Sequence, residues 1–232
     1  MRKVLILCGV LGLLAAGPAE AGPVYDGAYL KFSHGAGTTT GGEFIVTAAG
    51  GSSFDSFVTF CLQTTQSLDY SNVFYVKSIS TWAETEPDAK GGIGGKDDLD
   101  NKTGWIYSNY LQSNWAELGM SGTGWDANSR ANAVQRAVWC NEGEGAGYCG
   151  DTGAGMVLGR AGIANPQTMA YVSALNLVYA ENIAGTNDYR PTAREAQDQL
   201  ALVQNPEPAS LLLLGTGIVG LAAVARRRKQ QK

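Results

Sequence analysis

Residues 57–66, FVTFCLQTTQ, place Cys61 in the middle of a run of β-branched and aromatic residues. Residues of these types favour β-strands, so the stretch predicts a strand with a cysteine near its centre. Three further runs of the same character lie between Tyr25 and Trp82, separated by Gly, Ser, Asn and Asp: AYLKFSH, GEFIVTAAG and NVFYVKSISTW. This pattern predicts an antiparallel β unit in the first half of the chain.

The second half of the chain has a different period. A polar, Gly-rich segment between Glu84 and Lys102 predicts an exposed loop, and apolar residues then recur at spacings of three and four. The spacing predicts three helices, over residues 103–119, 126–144 and 165–185. The second helix has Asp126 or Ser129 as its cap, and the third has Asn165 as cap with Pro166 at its first position.

The segment 192–203 fits two structures. Thr192 and Glu195 fit a helical capping box, whereas Gln197, Gln199 and the leucines after them fit the alternation of a strand. The alternation favours a closing strand. The fold class predicted for the chain is therefore α+β, an N-terminal antiparallel β unit followed by a helical segment.

The two ends of the chain have the sequence features of targeting segments. The start has Arg2 and Lys3, an apolar run and then Ala19-Glu20-Ala21, which together predict a secretory signal peptide over residues 1–21, read by the Sec machinery. Near the other end, the apolar segment 209–225 is long enough to span a membrane as a single helix. A basic tail, 226–232, holds its end in the cytoplasm, so the body, residues 22–205, is expected outside.

This tail resembles a known sorting signal. Pro206, Glu207 and Pro208 precede the apolar segment, and Arg226, Arg227 and Arg228 follow it. The three parts, over residues 206–232, resemble in order and spacing the PEP-CTERM signal of bacterial surface proteins. The resemblance implies processing by the membrane protease-transpeptidase exosortase in a Gram-negative bacterium. It also implies a precursor anchored in the inner membrane and a product at the cell surface or in the exopolysaccharide matrix.

The charge of the body excludes one class of partner. The whole chain carries −4, but residues 22–205 alone contain ten Lys and Arg against nineteen Asp and Glu, a net charge of −9. So acidic a body is not expected to bind nucleic acid. No cofactor motif or metal-ligand set is evident, and the single histidine, His34, is expected to be a strand residue and not a catalytic base.

The body contains an odd number of cysteines. Cys140 and Cys149 bracket the sequence NEGEGAGY, whose glycines allow a tight return, so we predict a disulfide between them. Cys61 is then the unpaired thiol. A free cysteine on a strand most often acts as a small buried hydrophobic residue, so one interpretation of Cys61 is that it is inert.

Two short motifs resemble the signatures of bacterial surface thioester domains. They are FCL at residues 60–62 and VQRAVW at residues 134–139. The resemblance implies that the Cys61 sulfur is joined to the side-chain carbonyl of Gln135, with Trp139 shielding the bond. The protein is then a covalent adhesin for an amine-bearing surface target. It is no enzyme beyond a single acyl transfer from its own thioester.

The alternative function is a non-covalent one. The body is then a structural or polysaccharide-associated matrix protein in which Cys61 is inert. Both interpretations remain open from the sequence.

Overall fold

The computed structural model describes residues 24–38, 41–84, 96–168 and 171–203. The predicted signal peptide and the predicted membrane span lie outside these residues. Within the described part of the chain, no helix is both long enough and apolar enough to cross a membrane.

The described residues contain eight strands, which form two antiparallel sheets. They are β1 (Tyr29–Thr38), β2 (Gly41–Ala49), β3 (Phe57–Thr59), β4 (Val73–Ser80), β5 (Trp82–Glu84), β6 (Lys96–Asp98), β7 (Val172–Asn182) and β8 (Tyr189–Leu202). The main sheet has the order β3-β2-β1-β4-β7-β8, and β5 pairs with β6 in a small separate ribbon. The four strand-rich runs of the first half are therefore confirmed, and His34 lies in β1 as expected.

The main sheet closes on itself through the residues that follow β3. The Leu62 N–H donates to the carbonyl of Asp198 at 2.9 Å, and the Leu200 N–H donates to the carbonyl of Phe60 at 3.0 Å. Between them, Cys61 forms an antiparallel bridge with Gln199. The two outermost strands are thus joined, and this removes two open edges that would otherwise expose unpaired backbone groups.

Three helices in the part of the chain that the structure describes cover one side of the sheet. They are α1 (Asn101–Leu111), α2 (Ala127–Asn141) and α3 (Thr152–Ala164), with a short 3-10 turn at Ala146–Gly150. Asp126 caps α2 in a reciprocal capping box with Ser129, so both predicted capping residues take part. Helix α2 packs against β1, β2, α1 and α3 and is therefore the central element of this layer.

The predicted helix over 165–185 is wrong. Residues 172–182 form β7, which lies between β4 and β8 and is buried along most of its length. A strand buried on both faces is apolar almost continuously, and such a run also satisfies the helical spacing. Asn165 is not an N-cap: it ends α3 in the left-handed conformation, with φ of 42°.

Helix α3 is present where no helix was predicted. Its sequence, TGAGMVLGRAGIA, contains four glycines, which lower helix propensity and hide the apolar period. Packing explains one of them, because a Cβ at Gly153 would lie only 2.9 Å from the Cβ of Ala133 on α2. Gly153 is thus explained by the close approach of α3 to α2 and not by helix propensity.

Three other segments refine the sequence predictions. Helix α1 ends at Leu111 and does not reach Gly119, because Ser113 has a left-handed backbone with φ of 56°. The loop predicted between Glu84 and Lys102 contains strand β6 and the first residues of α1, and residues 85–95 lie outside the described part. The closing strand predicted over 192–203 is confirmed within β8.

The core beneath the helices is centred on Phe60. This fully buried ring packs edge-on against Tyr110, with ring centroids 4.9 Å apart, and against Tyr107 at 6.3 Å. The Tyr107 hydroxyl donates to the carbonyl of Val58 at 2.6 Å. Helix α1 is thereby fixed to the strand that leads into Cys61.

The predicted disulfide is present between Cys140 and Cys149. It joins the last turn of α2 to the 3-10 turn that precedes α3, and so closes a short loop.

Removing this disulfide with Cys140→Ser and Cys149→Ser together is expected to lower the free energy of unfolding by about 2–3 kcal/mol, since the bond restricts a loop of roughly ten residues in the unfolded chain. Urea unfolding of the body followed by circular dichroism measures it. A loss below about 0.5 kcal/mol would contradict the expectation.

One buried carboxyl makes the stability depend on pH. Glu142, at the end of α2, is 8% exposed and accepts a hydrogen bond from the Asp100 N–H at 3.3 Å. Burial disfavours its charged form and raises its pKa from 4.5 to about 7. The folded state therefore binds this proton more tightly than the unfolded state. The resulting stabilisation is full below pH 4.5 and is lost as the pH rises to about 7.

Glu142→Gln is expected to remove this dependence. Wild type should lose up to about 3 kcal/mol more than the variant between pH 4.5 and 8. The buried Asp198, whose pKa is also raised by burial, acts the same way in both proteins and cancels in the comparison. Urea titrations at several pH values measure the difference, with the exposed Glu117→Gln as control. Parallel stability curves for wild type and Glu142→Gln would refute it.

Candidate functional site

Cys61 sits where the sheet closes and faces a cavity. Its neighbours Phe60 and Leu62 are both buried in the core under the helices. Because successive side chains of an extended segment point to opposite sides, Cys61 points away from that core. It is itself only 2% exposed and lines a cavity of about 340 Å³.

Gln135 holds the backbone of Cys61 with both ends of its side-chain amide. Its Oε1 accepts from the Cys61 N–H at 2.9 Å, and its Nε2 donates to the Cys61 carbonyl at 2.8 Å. Gln135 is fully buried on α2, one turn after the buried Ala131. The structure thus brings together the two residues that the sequence analysis paired, although they lie 74 positions apart.

The Cys61 sulfur itself contacts two other glutamines. The thiol donates to Gln197 Oε1 at 2.8 Å, and Gln199 Nε2 donates to the sulfur at 3.3 Å. Both glutamines come from β8. Gln197 in turn donates a short hydrogen bond to the carbonyl of Gln63, which fixes its amide orientation. The sulfur is therefore held by neutral amides alone.

These surroundings keep Cys61 protonated. Burial raises the pKa of its thiol to about 12, and the hydrogen bond from Gln199 acts in the opposite direction. A thiol in this state is a poor nucleophile towards molecules in solution.

Trp139 lies one helical turn beyond Gln135 and lines the same cavity. Its ring packs on Tyr148 with centroids 4.9 Å apart, and it is 8% exposed. The indole therefore forms part of the wall of the cavity that Gln135 also lines. Its shielding of a bond between Cys61 and Gln135 stays a prediction.

Sequence reasoning missed the part played by Gln197 and Gln199. Both stood out as members of a strand alternation, but nothing in their local sequence relates them to a cysteine 136 or 138 positions away. Only the closure of the sheet brings β8 beside Cys61. As for metals, no cluster of three His, Cys, Asp or Glu side chains able to hold an ion occurs among the described residues.

The tail lies outside the described residues, so its identification rests on sequence. Residues 206–229 match the PEP-CTERM protein-sorting motif. The motif implies an exported surface protein whose membrane-anchored precursor is processed by exosortase. It covers only the end of the chain. No curated protein and no solved structure matches the chain.

The two hydrogen bonds between the Gln135 side chain and the Cys61 backbone are expected to contribute strongly to the free energy of unfolding. The test is made in a Cys61→Ala background, because without the thiol no covalent bond to Gln135 can contribute. There, Gln135→Leu leaves the backbone N–H and carbonyl of residue 61 buried without partners. The expected loss is about 2–5 kcal/mol in the free energy of unfolding. Urea unfolding measures it. Gln112→Leu, at the exposed end of α1, is the matched control and should change stability by less than about 0.5 kcal/mol.

Proposed function

We propose that this exported surface protein is a covalent adhesin that carries an internal thioester between Cys61 Sγ and Gln135 Cδ. The observation that carries the proposal is the double hydrogen bond between the Gln135 amide and the Cys61 backbone. It fixes the amide carbon beside the residue that bears the thiol. Holding two reacting groups in one place removes most of the entropic barrier to their reaction.

The same contact supplies electrostatic help. When sulfur attacks Cδ, negative charge develops on Gln135 Oε1, and the Cys61 N–H already donates to this atom at 2.9 Å. A preorganised donor at the developing oxyanion lowers the barrier. Gln199 Nε2, which donates to the sulfur at 3.3 Å, favours the thiolate that must form first.

Formation of the thioester releases the amide nitrogen of Gln135 as ammonia. The Cys61 S–H bond breaks, an S–C bond forms to Gln135 Cδ, and the C–N bond to Nε2 breaks. The thiol proton leaves with Nε2, so one molecule of ammonia is released. No oxidant, metal or cofactor takes part.

The second step is transfer to a target. An amine, such as a lysine of a neighbouring surface protein, attacks the thioester carbonyl and forms an amide with the Gln135 side chain. The proton lost by the amine restores the Cys61 thiol. The link is permanent and the thioester is used once, so the protein is a single-use adhesin and not a turnover enzyme.

The competing function is a non-covalent surface module with an inert Cys61. Two observations favour it: the sulfur contacts Gln197 and Gln199 instead of Gln135, and burial raises the pKa of the thiol. The two functions differ in the covalent state of Cys61, which is directly measurable.

The intact mass of the body, residues 22–205, is expected to lie about 17 Da below that of the disulfide-bonded chain, because ammonia has left. Methylamine should open the thioester and give a mass about 14 Da above that of the disulfide-bonded chain, with one free thiol. Cys61→Ala and Gln135→Ala should each show neither change. A full mass with an alkylatable Cys61 in the unfolded wild type would leave the non-covalent module as the function.

A further inference from the structure

The cavity at Cys61 is lined largely by neutral hydrogen-bonding groups. They comprise hydroxyls and side-chain amides, contributed by Thr38, Thr64, Ser67, Tyr70, Tyr148, Gln66, Gln135 and Gln197. The Gln135 and Gln197 amides and the Thr38 and Thr64 hydroxyls already pair within the protein, so the remaining groups are the ones that meet a ligand. Its volume of about 340 Å³ falls at the lower end of the range found for small-ligand sites. The lining suits a small ligand with many uncharged polar groups.

The charges around the cavity argue against an ionic ligand. Among the described residues that line it there is no Lys or Arg, and the body carries −9. The one basic side chain in the lining is His34, whose Nδ1 lies 2.6 Å from the Gly35 carbonyl oxygen. The one lining carboxylate, Glu43, has both oxygens engaged. Its Oε1 accepts from the Ala36 N–H at 2.9 Å and its Oε2 from the Tyr110 hydroxyl at 2.6 Å. A ligand ammonium would therefore compete with two existing bonds.

Aromatic rings form part of the wall. Tyr70 is 43% exposed and packs against Phe44, with centroids 6.0 Å apart, and against His34 at 6.5 Å. A sugar ring has an apolar C–H face that can cover an aromatic ring, while its hydroxyls donate and accept hydrogen bonds at the edge.

Two lining side chains also have a polar atom without a partner. Trp139 Nε1 and Gln66 Oε1 are buried, and neither has a hydrogen-bond partner among the described residues. A buried donor or acceptor without a partner is costly. Each atom has almost no accessible surface. A ligand hydroxyl therefore pairs with it only when the Trp139 or Gln66 side chain turns towards the cavity.

We infer that this cavity binds a neutral sugar unit without a covalent bond. The inference gives the non-covalent alternative a ligand class and a site, and it stands whether or not the thioester forms. Affinity for one ring is expected in the millimolar range, since the cavity holds only a small ligand.

The test uses the full chain, purified in a detergent without a sugar headgroup. D-Glucose, D-galactose and D-mannose are titrated up to about 50 mM, well above the millimolar Kd of a weak site. Each is compared with its uronate and its amino-sugar counterpart. Saturation-transfer NMR and tryptophan fluorescence report binding. At least one neutral hexose should saturate, and its charged counterparts should bind more weakly.

Two variants locate the site. Trp139→Phe removes the indole N–H and keeps a ring, and Gln66→Met removes the amide and keeps the chain length. Each should weaken binding of that hexose about two- to tenfold. Trp125→Phe and Gln112→Met, away from the cavity, are the matched controls, and the melting temperature checks folding of all four.

Three results would overturn the inference: no saturable neutral sugar, tighter binding of a charged counterpart, or unchanged binding in both Trp139→Phe and Gln66→Met. The intact mass of the same wild-type sample reports the thioester separately. Failure of one claim is thus distinguished from failure of the other.

Discussion

The hydrogen bonds between the Gln135 side chain and the backbone of Cys61 are the interaction on which the arrangement of the site depends. They join the central helix α2 to the residue that closes the main sheet. Without this contact, the Gln135 side-chain amide and the Cys61 backbone N–H and carbonyl would be buried without partners, which would lower the stability of the fold. This one contact therefore joins the helical layer to the point where the sheet closes, and both of its residues line the cavity.

A ring of neutral polar groups surrounds this contact. Gln197 and Gln199 hold the sulfur, and Gln63 accepts from Gln197 and also meets Asp198, whose backbone N–H donates to Gln63 Oε1 at 2.8 Å. A buried network of this kind specifies a single arrangement to the extent that its members are paired, and here the buried Gln199 Oε1 has no partner among the described residues. It gives Cys61 a fixed position and a low reactivity towards solvent.

The sequence predicted the elements whose signals are local. Alternation and β-branched residues identified β1 to β4, and Asp126 with the apolar spacing after it identified α2. Cys61 and Gln135 were paired through short motifs and not through any physical rule. The two wrong predictions concern elements whose secondary structure depends on tertiary packing. Strand β7 was predicted as a helix because it is apolar on both of its buried faces. Helix α3 was not predicted because it contains glycines, one of which permits close packing on α2. The contacts of Gln197 and Gln199 with Cys61 depend on sheet closure, which no local pattern encodes.

The most direct test of the central claim is a high-resolution crystal structure of residues 22–205, examined at Cys61. The account predicts continuous electron density from Cys61 Sγ to Gln135 Cδ at covalent distance, with Gln135 Oε1 still accepting from the Cys61 N–H. A structure in which the Cys61 sulfur is not bonded to Gln135 Cδ would contradict it, whether or not the Gln135 amide still pairs with the Cys61 backbone.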